Sequence, residues 1–402
     1  MAQLHFTLDY EFLVGLFAEN KEVAFAKLME ALLNQVLKAD SSEQLGVSSY
    51  ERSESRTDYR NGSRTRTFTT RVGKIELEVP RHRNVPFKAV LFENYQRNEQ
   101  ALITTMMEMV VQGVSTRSVQ KVTEELCGAT FSKSTVSEIC KELDIPVKEF
   151  KNRLLAEKYP FIMADAMYIK VREEHRVVSK ALFIAMGINT TGHKEVLGFE
   201  LYDTEKVSTW KNFFESLKSR GLRGVDIITS DSHTGLVEAI KECFPGASWQ
   251  RCQVHFMRNI LDKCPKKYVA GLTSELREMF LSSTINEARH LRDEIVEEYQ
   301  DVASEAMAIL DSGFEDSMTI MVLPSKYRLS LRTSNMLERE NGELRKREKV
   351  IKIFPNKEAA IRMMGAVLLD DHNDWLSRQR VFNMEEYYDR RSMILSKIRK
   401  VA

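Results

Sequence analysis

Apolar positions recur at two different spacings along this chain, and the change between them divides it. Over residues 1–40, Ala24, Leu28, Leu32, Val36 and Leu37 recur at helical spacing and make one apolar stripe. The polar stretch from Ser41-Ser42 ends that unit. Residues 48–97 are rich in Arg, Thr and Ser, with a turn expected at Tyr59-Arg-Asn-Gly62. Val72 to Val79 alternates like an edge strand. Helical spacing returns over 99–145. There a helix through Leu126 opens on a Ser cap, Cys127-Gly128 supplies a turn, and Ser132 starts a second short helix through Leu143. That pairing predicts a helix-turn-helix at 115–143.

From residue 159 the pattern becomes α/β. Strand-like runs at 160–172, 178–188 and 194–202 precede a helix at 205–219 and further strands at 225–230 and 247–250. Residues 256–318 carry almost no strand signal and read as an all-helical insert. Helix resumes at 334–347 and again from Lys357 to the end.

Composition narrows the class. A chain of 402 residues with 43% hydrophobic and 29% charged residues suits two or three globular domains. The net charge of +1 says nothing of a polyanionic partner, but its distribution does. Between Glu51 and Lys88 ten Arg or Lys stand against five acids. No apolar run approaches the roughly 20 residues that span a bilayer. The N-terminus lacks a basic region followed by an apolar stretch, so no signal peptide is expected. The odd, scattered cysteines (127, 140, 243, 252, 264) suit a reducing cytoplasm.

Three acids stand where a carboxylate is costly. Asp165 interrupts the apolar run from Tyr159 to Ile169, Asp231 ends the run Val225 to Ser230, and Glu338 lies on the later helix. Each has an ordinary explanation: Asp165 bonds local backbone, Asp231-Ser232 caps the next helix, Glu338 is solvated. Their shared arrangement of first strand, later strand end and distant helix instead suggests three oxygen ligands converging on hard divalent cations.

Cys252 and His255 form Cys-x-x-His, but no second ligand pair stands at zinc spacing, so a bracing role beside the active site is expected. Candidate DNA contacts are Arg60, Arg64, Arg66, Arg71, Arg81 and Arg83 in the basic segment, and Arg117, Lys133, Ser134 and Thr135 in the helix-turn-helix. Arg251, Arg258, Arg345 and Arg347 flank the acids and suit phosphates. Trp249 is either a base-stacking platform or core.

In order along the chain stand Tyr59-Arg-Asn-Gly62, Val79-Pro-Arg-His-Arg83, Gly113-Val-Ser-Thr-Arg117 and Ile162-Met-Ala-Asp-Ala-Met-Tyr-Ile-Lys170. They are followed by Lys194-Glu-Val-Leu-Gly198, Ser219-Arg-Gly-Leu222, Ser230-Asp-Ser-His233, Trp249-Gln-Arg-Cys-Gln-Val-His255, Arg332-Thr-Ser-Asn-Met-Leu-Glu338 and Ile353-Phe-Pro-Asn356. This series resembles the bacterial insertion-sequence transposases related to the Mutator elements. Small departures are Ser232, where glycine is common, and Met167, at a variable position.

The resemblance implies an α/β RNase H-like, retroviral-integrase-like catalytic domain with an all-helical insertion, preceded by a helical N-terminal region with a helix-turn-helix DNA-binding domain. The organisation expected is then 1–45 helical and open to self-association, 46–98 a basic strand-containing DNA-binding segment, and 99–150 the helix-turn-helix domain. The catalytic core would run over 155–255 and 326–402, split by a helical insertion at 256–325. Asp165, Asp231 and Glu338 would be both catalytic triad and ligands of two Mg²⁺ ions, with Mn²⁺ as substitute, about 3.5–4 Å apart. Metal-dependent hydrolysis would free a 3′-OH at an element end, and that 3′-OH would attack target DNA. The partners implied are double-stranded terminal repeats, target DNA and a second copy of the chain, in the bacterial cytoplasm at the nucleoid, without membrane or nucleotide cofactor. Two other classes remain: a helix-turn-helix regulator without catalysis, and a nuclease without strand transfer.

Overall fold

The computed structural model describes residues 6–18, 21–51, 53–89, 98–127 and 130–401. Arg52, residue 128 of the expected turn, and 90–97 of the basic segment lie outside them. The chain forms two compact units, Met1–Glu142 and Leu143–Ala402.

In the first unit, α1 (Tyr10–Ala18) and α2 (Lys21–Leu45) precede a hairpin of β1 (Arg60–Thr70) and β2 (Gly73–His82). Leu37 of α2 packs on Phe68, Ile75 and Leu77, which share one face of the hairpin. The segment Tyr59–Gly62 is not a chain reversal. Arg60 and Gly62 lie within β1, and the register shifts between Arg60 and Ser63, a bulge that the positive φ of Gly62 (77°) accommodates. Then come α3 (Gln100–Val111), α4 (Thr116–Cys127) and α5 (Lys133–Ile139). Ser115 Oγ accepts the Ser118 N–H at 3.1 Å and Ser132 Oγ the Thr135 N–H at 3.1 Å, capping α4 and α5. Met106, Val119 and Val136, fully buried, are the centre of this trio.

The second unit is mixed α/β. After α6 (Asp144–Asn152) come β3 (Phe161–Glu173), β4 (Arg176–Ile188), β5 (Lys194–Tyr202), α7 (Val207–Ser219), β6 (Ile227–Ser230), α8 (Thr234–Cys243) and β7 (Ser248–Arg251). The sheet order is β5-β4-β3-β6-β7. β3 pairs antiparallel with β4 and parallel with β6; β7 pairs parallel with β6. Side chains alternate between the faces. Ile162 and Ala164 join Phe183, Trp210, Phe213, Phe214 and Leu236 in a core that covers one face with α7 and α8.

Between β7 and the last helices lie α9 (Gln253–Leu261), α10 (Val269–Leu281), α11 (Ile285–Tyr299) and α12 (Ser304–Met318). They have their own core, centred on Phe256, Leu272, Leu276, Leu310 and Phe314. Gln250 anchors this helical block: its amide donates to Ser317 O at 2.7 Å and accepts the Ile320 N–H at 2.7 Å. The chain returns through α13 (Ser325–Leu331), α14 (Asn335–Ile351), α15 (Lys357–Ser377) and α16 (Glu385–Val401). α14 and α15 cover the second face of the sheet, where Asn341 reaches Asp165 and Gly365 packs against Phe199. Among the described residues no helix is long and apolar enough to cross a membrane.

Candidate active site

Asp165 lies within β3, on the face turned to α14, opposite Ile184 of β4. On its other side β3 runs parallel to β6, with Met163 opposite Thr229. Asp165 and Asp231 each stand two residues beyond that pair, so they continue one register. Neighbouring strands lie about 4.8 Å apart, which leaves the two carboxylates side by side where β6 has just ended. Asp231 does not cap α8 with its side chain: its Oδ1 accepts the His233 N–H at 3.1 Å, and α8 begins without a side-chain cap.

Glu338 is carried in by α14, and the entry to that helix is fastened at three points. Thr229 Oγ1 donates to Leu331 O at 2.8 Å, Gln253 N–H donates to Arg332 O at 3.0 Å, and the Ser334 N–H and O–H face Cys252 Sγ at 3.4 and 3.2 Å. One turn beyond Ser334, Glu338 Oε1 lies 3.1 Å from the Ser334 hydroxyl and 3.8 Å from His255 Nδ1. Three residues further, Asn341 Nδ2 donates to Asp165 Oδ2 at 2.8 Å. One helix face thus presents a carboxylate and a clamp on a second carboxylate.

The electrostatics follow from burial. Asp165 is pushed up to about 7, first by burial and then by Asp231 beside it. Among the described residues neither aspartate forms an ion pair with a Lys or Arg. Two adjacent acids that no Lys or Arg pairs with are a donor set that a divalent cation would complete, and carboxylate oxygens are the donors that hard cations take. The two aspartates therefore suit the divalent metal expected of them, whereas Glu338 is not grouped with them among the described residues. Glu338 is turned toward His255, and among the described residues the donor atoms that fall within 4.8 Å of one another are those of Cys252, His255 and Glu338.

That trio has zinc-type chemistry, but its sulfur is committed. Cys252 is fully buried and is faced by both Ser334 donors. Burial alone would raise its thiol; hydrogen bonds from His255 and Ser334 outweigh burial and lower it. The contact with Cys252 in turn raises the His255 imidazole, which the charges of Glu338 and Asp165 also favour. Ser334 has one hydroxyl hydrogen for two acceptors, and the carboxylate is the stronger. The arrangement is a brace running from Cys252 through Ser334 to Glu338.

Other expected residues are dispersed. Arg251 is half-buried and stacks over the Phe256 ring at 4.4 Å, while Arg258 and Arg345 are exposed and Arg347 is half-buried. Trp249 packs against the core and donates from Nε1 to Ser230 Oγ at 2.9 Å. In the first unit the Arg60 guanidinium is spent on Ser42, Val47 and Ser48. Arg71 pairs with Glu99 at 2.9 Å and Arg83 lies 5.7 Å over the Tyr59 ring. Arg64, Arg81, Arg117, Lys133, Ser134 and Thr135 are exposed, and Arg66 is half-buried on the Phe68 face.

Asn341 and Ser334 were not singled out from the sequence. The available signal was spacing, since both lie within one helical turn of Glu338. Glu340 was also missed: buried beside Asp371, it is pushed up to about 8 and stitches α14 to α15.

Residues 1–378 match the family described as "Transposase, Mutator family". The chain is 45% identical over 386 residues to the Staphylococcus aureus transposase for insertion sequence element IS256 in transposon Tn4001, covering 95% of this chain and 99% of that protein. It is 41% identical over 369 residues to the Rhizobium meliloti transposase for ISRM5 (92% and 93% covered), and 34% over 360 residues to the Mycobacterium tuberculosis transposase for IS1081 (89% and 87%). A match of that extent, on a mixed α/β unit holding three acids from three elements, places this chain among the transposases of the Mutator family.

Proposed function

We propose that the second unit is an RNase H-like catalytic domain that cleaves DNA at the ends of an insertion sequence and joins the freed ends to target DNA. The observation that carries this reading is the common register of Asp165 and Asp231, with Glu338 and the Asp165 clamp on one facing helix. Asp165, Asp231 and Glu338 are the ligands for Mg²⁺, or Mn²⁺ in its place. Bound there, such cations acidify water and neutralise charge that develops on the phosphate. Asn341 keeps Asp165 aimed, and the Cys252–Ser334 brace with His255 holds Glu338. Water adds to the scissile phosphorus, and the bond to the 3′ oxygen breaks. In the second step that 3′ oxygen adds to a target phosphorus, releasing the target's own 3′ oxygen. No protein nucleophile takes part.

The basic hairpin within 46–98 and the helices within 99–150 take the terminal repeats, with α5 as the helix-turn-helix reader. Two ends must be cut together, so a homodimer is the working form, in the cytoplasm at the nucleoid. The test is strand transfer by purified protein with Mg²⁺ and a labelled duplex carrying the element's end, wild type against Glu338→Gln. Joined products from wild type alone support the reading. Cleavage without joining makes the protein a nuclease, and specific binding without cleavage makes it a regulator.

A further inference from the structure

A cavity of about 510 Å³ opens between α9, α10, α13 and α14, beside the proposed catalytic site. Arg277, Arg332 and Arg339 line it together with Met257, Met336 and Leu329, and no acidic residue contributes to its wall. Among the described residues none of the three arginines is paired with a carboxylate. Arg332 is fixed in the wall by its bond to Phe280 O at 3.3 Å. Arg339 directly follows Glu338, so cavity and third carboxylate occupy adjacent faces of α14.

A ligand for this cavity must pair negative charge with a flat apolar surface. Three cations without counter-charge call for an anion. Methionine thioethers and an exposed leucine form a polarizable surface of the kind that accepts an aromatic ring. The volume is that of a site enclosing a small molecule or one residue of a polymer. A base-paired duplex shows phosphates but keeps its ring faces stacked. An unpaired nucleotide offers both.

We infer that this cavity holds one unpaired nucleotide of the DNA strand under reaction, its phosphate on Arg277, Arg332 and Arg339 and its base against Met257, Met336 and Leu329. The inference rests on the proposed reading of the neighbouring carboxylates as a DNA-cleaving site. It adds a subsite that grips the strand where pairing has been lost, next to the scissile phosphate. The preference it predicts is for ends that are frayed or already nicked.

The test uses the full chain, a short oligo-dT strand carrying one photoreactive 5-iodouracil, and a blunt duplex of equal length. Arg277 is exposed and outside the catalytic set, so Arg277→Glu is the variant, with a melting curve as folding control. The expected result is crosslinking to the peptides of Met257 or Met336, and strand binding weakened at least about tenfold in Arg277→Glu with duplex binding unchanged. Crosslinks mapped elsewhere, or strand binding unaffected by Arg277→Glu, overturn the inference and leave the cleavage reading intact. Displacement of the strand by an equal concentration of dTMP, or by an acidic peptide, overturns the assignment to DNA. A wild-type protein that binds neither probe removes both readings at once.

Discussion

Asn341 donates from Nδ2 to Asp165 Oδ2 across 2.8 Å, tying the helix of Glu338 to the strand of Asp165. The bond sets the distance between two acids that lie far apart in sequence. Asn341→Ala removes it and leaves Asp165 oriented only by the Ala166 N–H. The expected outcome is a roughly 10–100-fold loss of metal-dependent cleavage, the usual cost of losing an outer partner of a ligand. A stability loss of about 1–3 kcal/mol should accompany it. Single-turnover cleavage and urea melts read the two separately; unchanged cleavage would show the bond to be structural only.

Asp165 makes the metal-free protein sensitive to pH. Its folded value of about 7 lies above that of an unfolded aspartate. The folded state therefore holds a proton that the unfolded chain releases. That contribution is fully present below about pH 4 and is lost as pH rises through 7. Asp165→Asn should flatten the fall and melt higher than wild type at about pH 8 in EDTA. Mg²⁺ must displace the same proton, so it should raise the wild-type melting temperature more at about pH 8 than at about pH 6. An Asp165→Asn protein that melts no higher than wild type in EDTA would contradict the electrostatic account.

Ser334 links Cys252 to Glu338. Ser334→Ala cuts the link without changing charge. Cleavage is expected to drop by about tenfold or more, as for other groups that orient a metal ligand. Ser334→Thr, which retains the hydroxyl, should restore most of it. Equal loss in both variants would point to packing at the start of α14 rather than to the hydroxyl.

His372 contributes to the acid limb of stability. It is buried, its Nδ1 accepts the Val196 N–H at 3.4 Å, and burial with the nearby Arg153 charge pushes it down to about 4. The unfolded imidazole takes a proton at higher pH than the folded one. Stability therefore falls as pH drops from about 6.5 to about 4. His372→Gln should narrow the difference between urea midpoints at about pH 7 and about pH 5. An unaltered difference would place the acid sensitivity elsewhere.

The strands that lead to Asp165 and Asp231 were legible because largely apolar runs buried on both faces, 161–164 and 227–230, precede these acids. β3, β4 and β5 match the expected spans to within two residues. β1 was not legible. Its sequence from Arg60 to Thr70 has one aromatic, Phe68, and otherwise polar side chains, because much of its length is exposed. Only its threonines, which favour extended backbone, hinted at a strand. Asn341 was hidden differently, since an asparagine within a charged helix looks solvated until the opposing strand is in place. The arginine-lined cavity draws on four helices, and no local pattern records where they converge.

The helical block between β7 and α14 also orders events in time. Asp165 and Asp231 leave the ribosome well before Glu338, which emerges only after four helices with a core of their own. Domains fold from the N-terminus as synthesis proceeds. A nascent or prematurely terminated chain ending within that block carries two of the acids and lacks the third. On the reading proposed above, such a chain lacks one of the three proposed ligands, so cleavage would await completion of the chain.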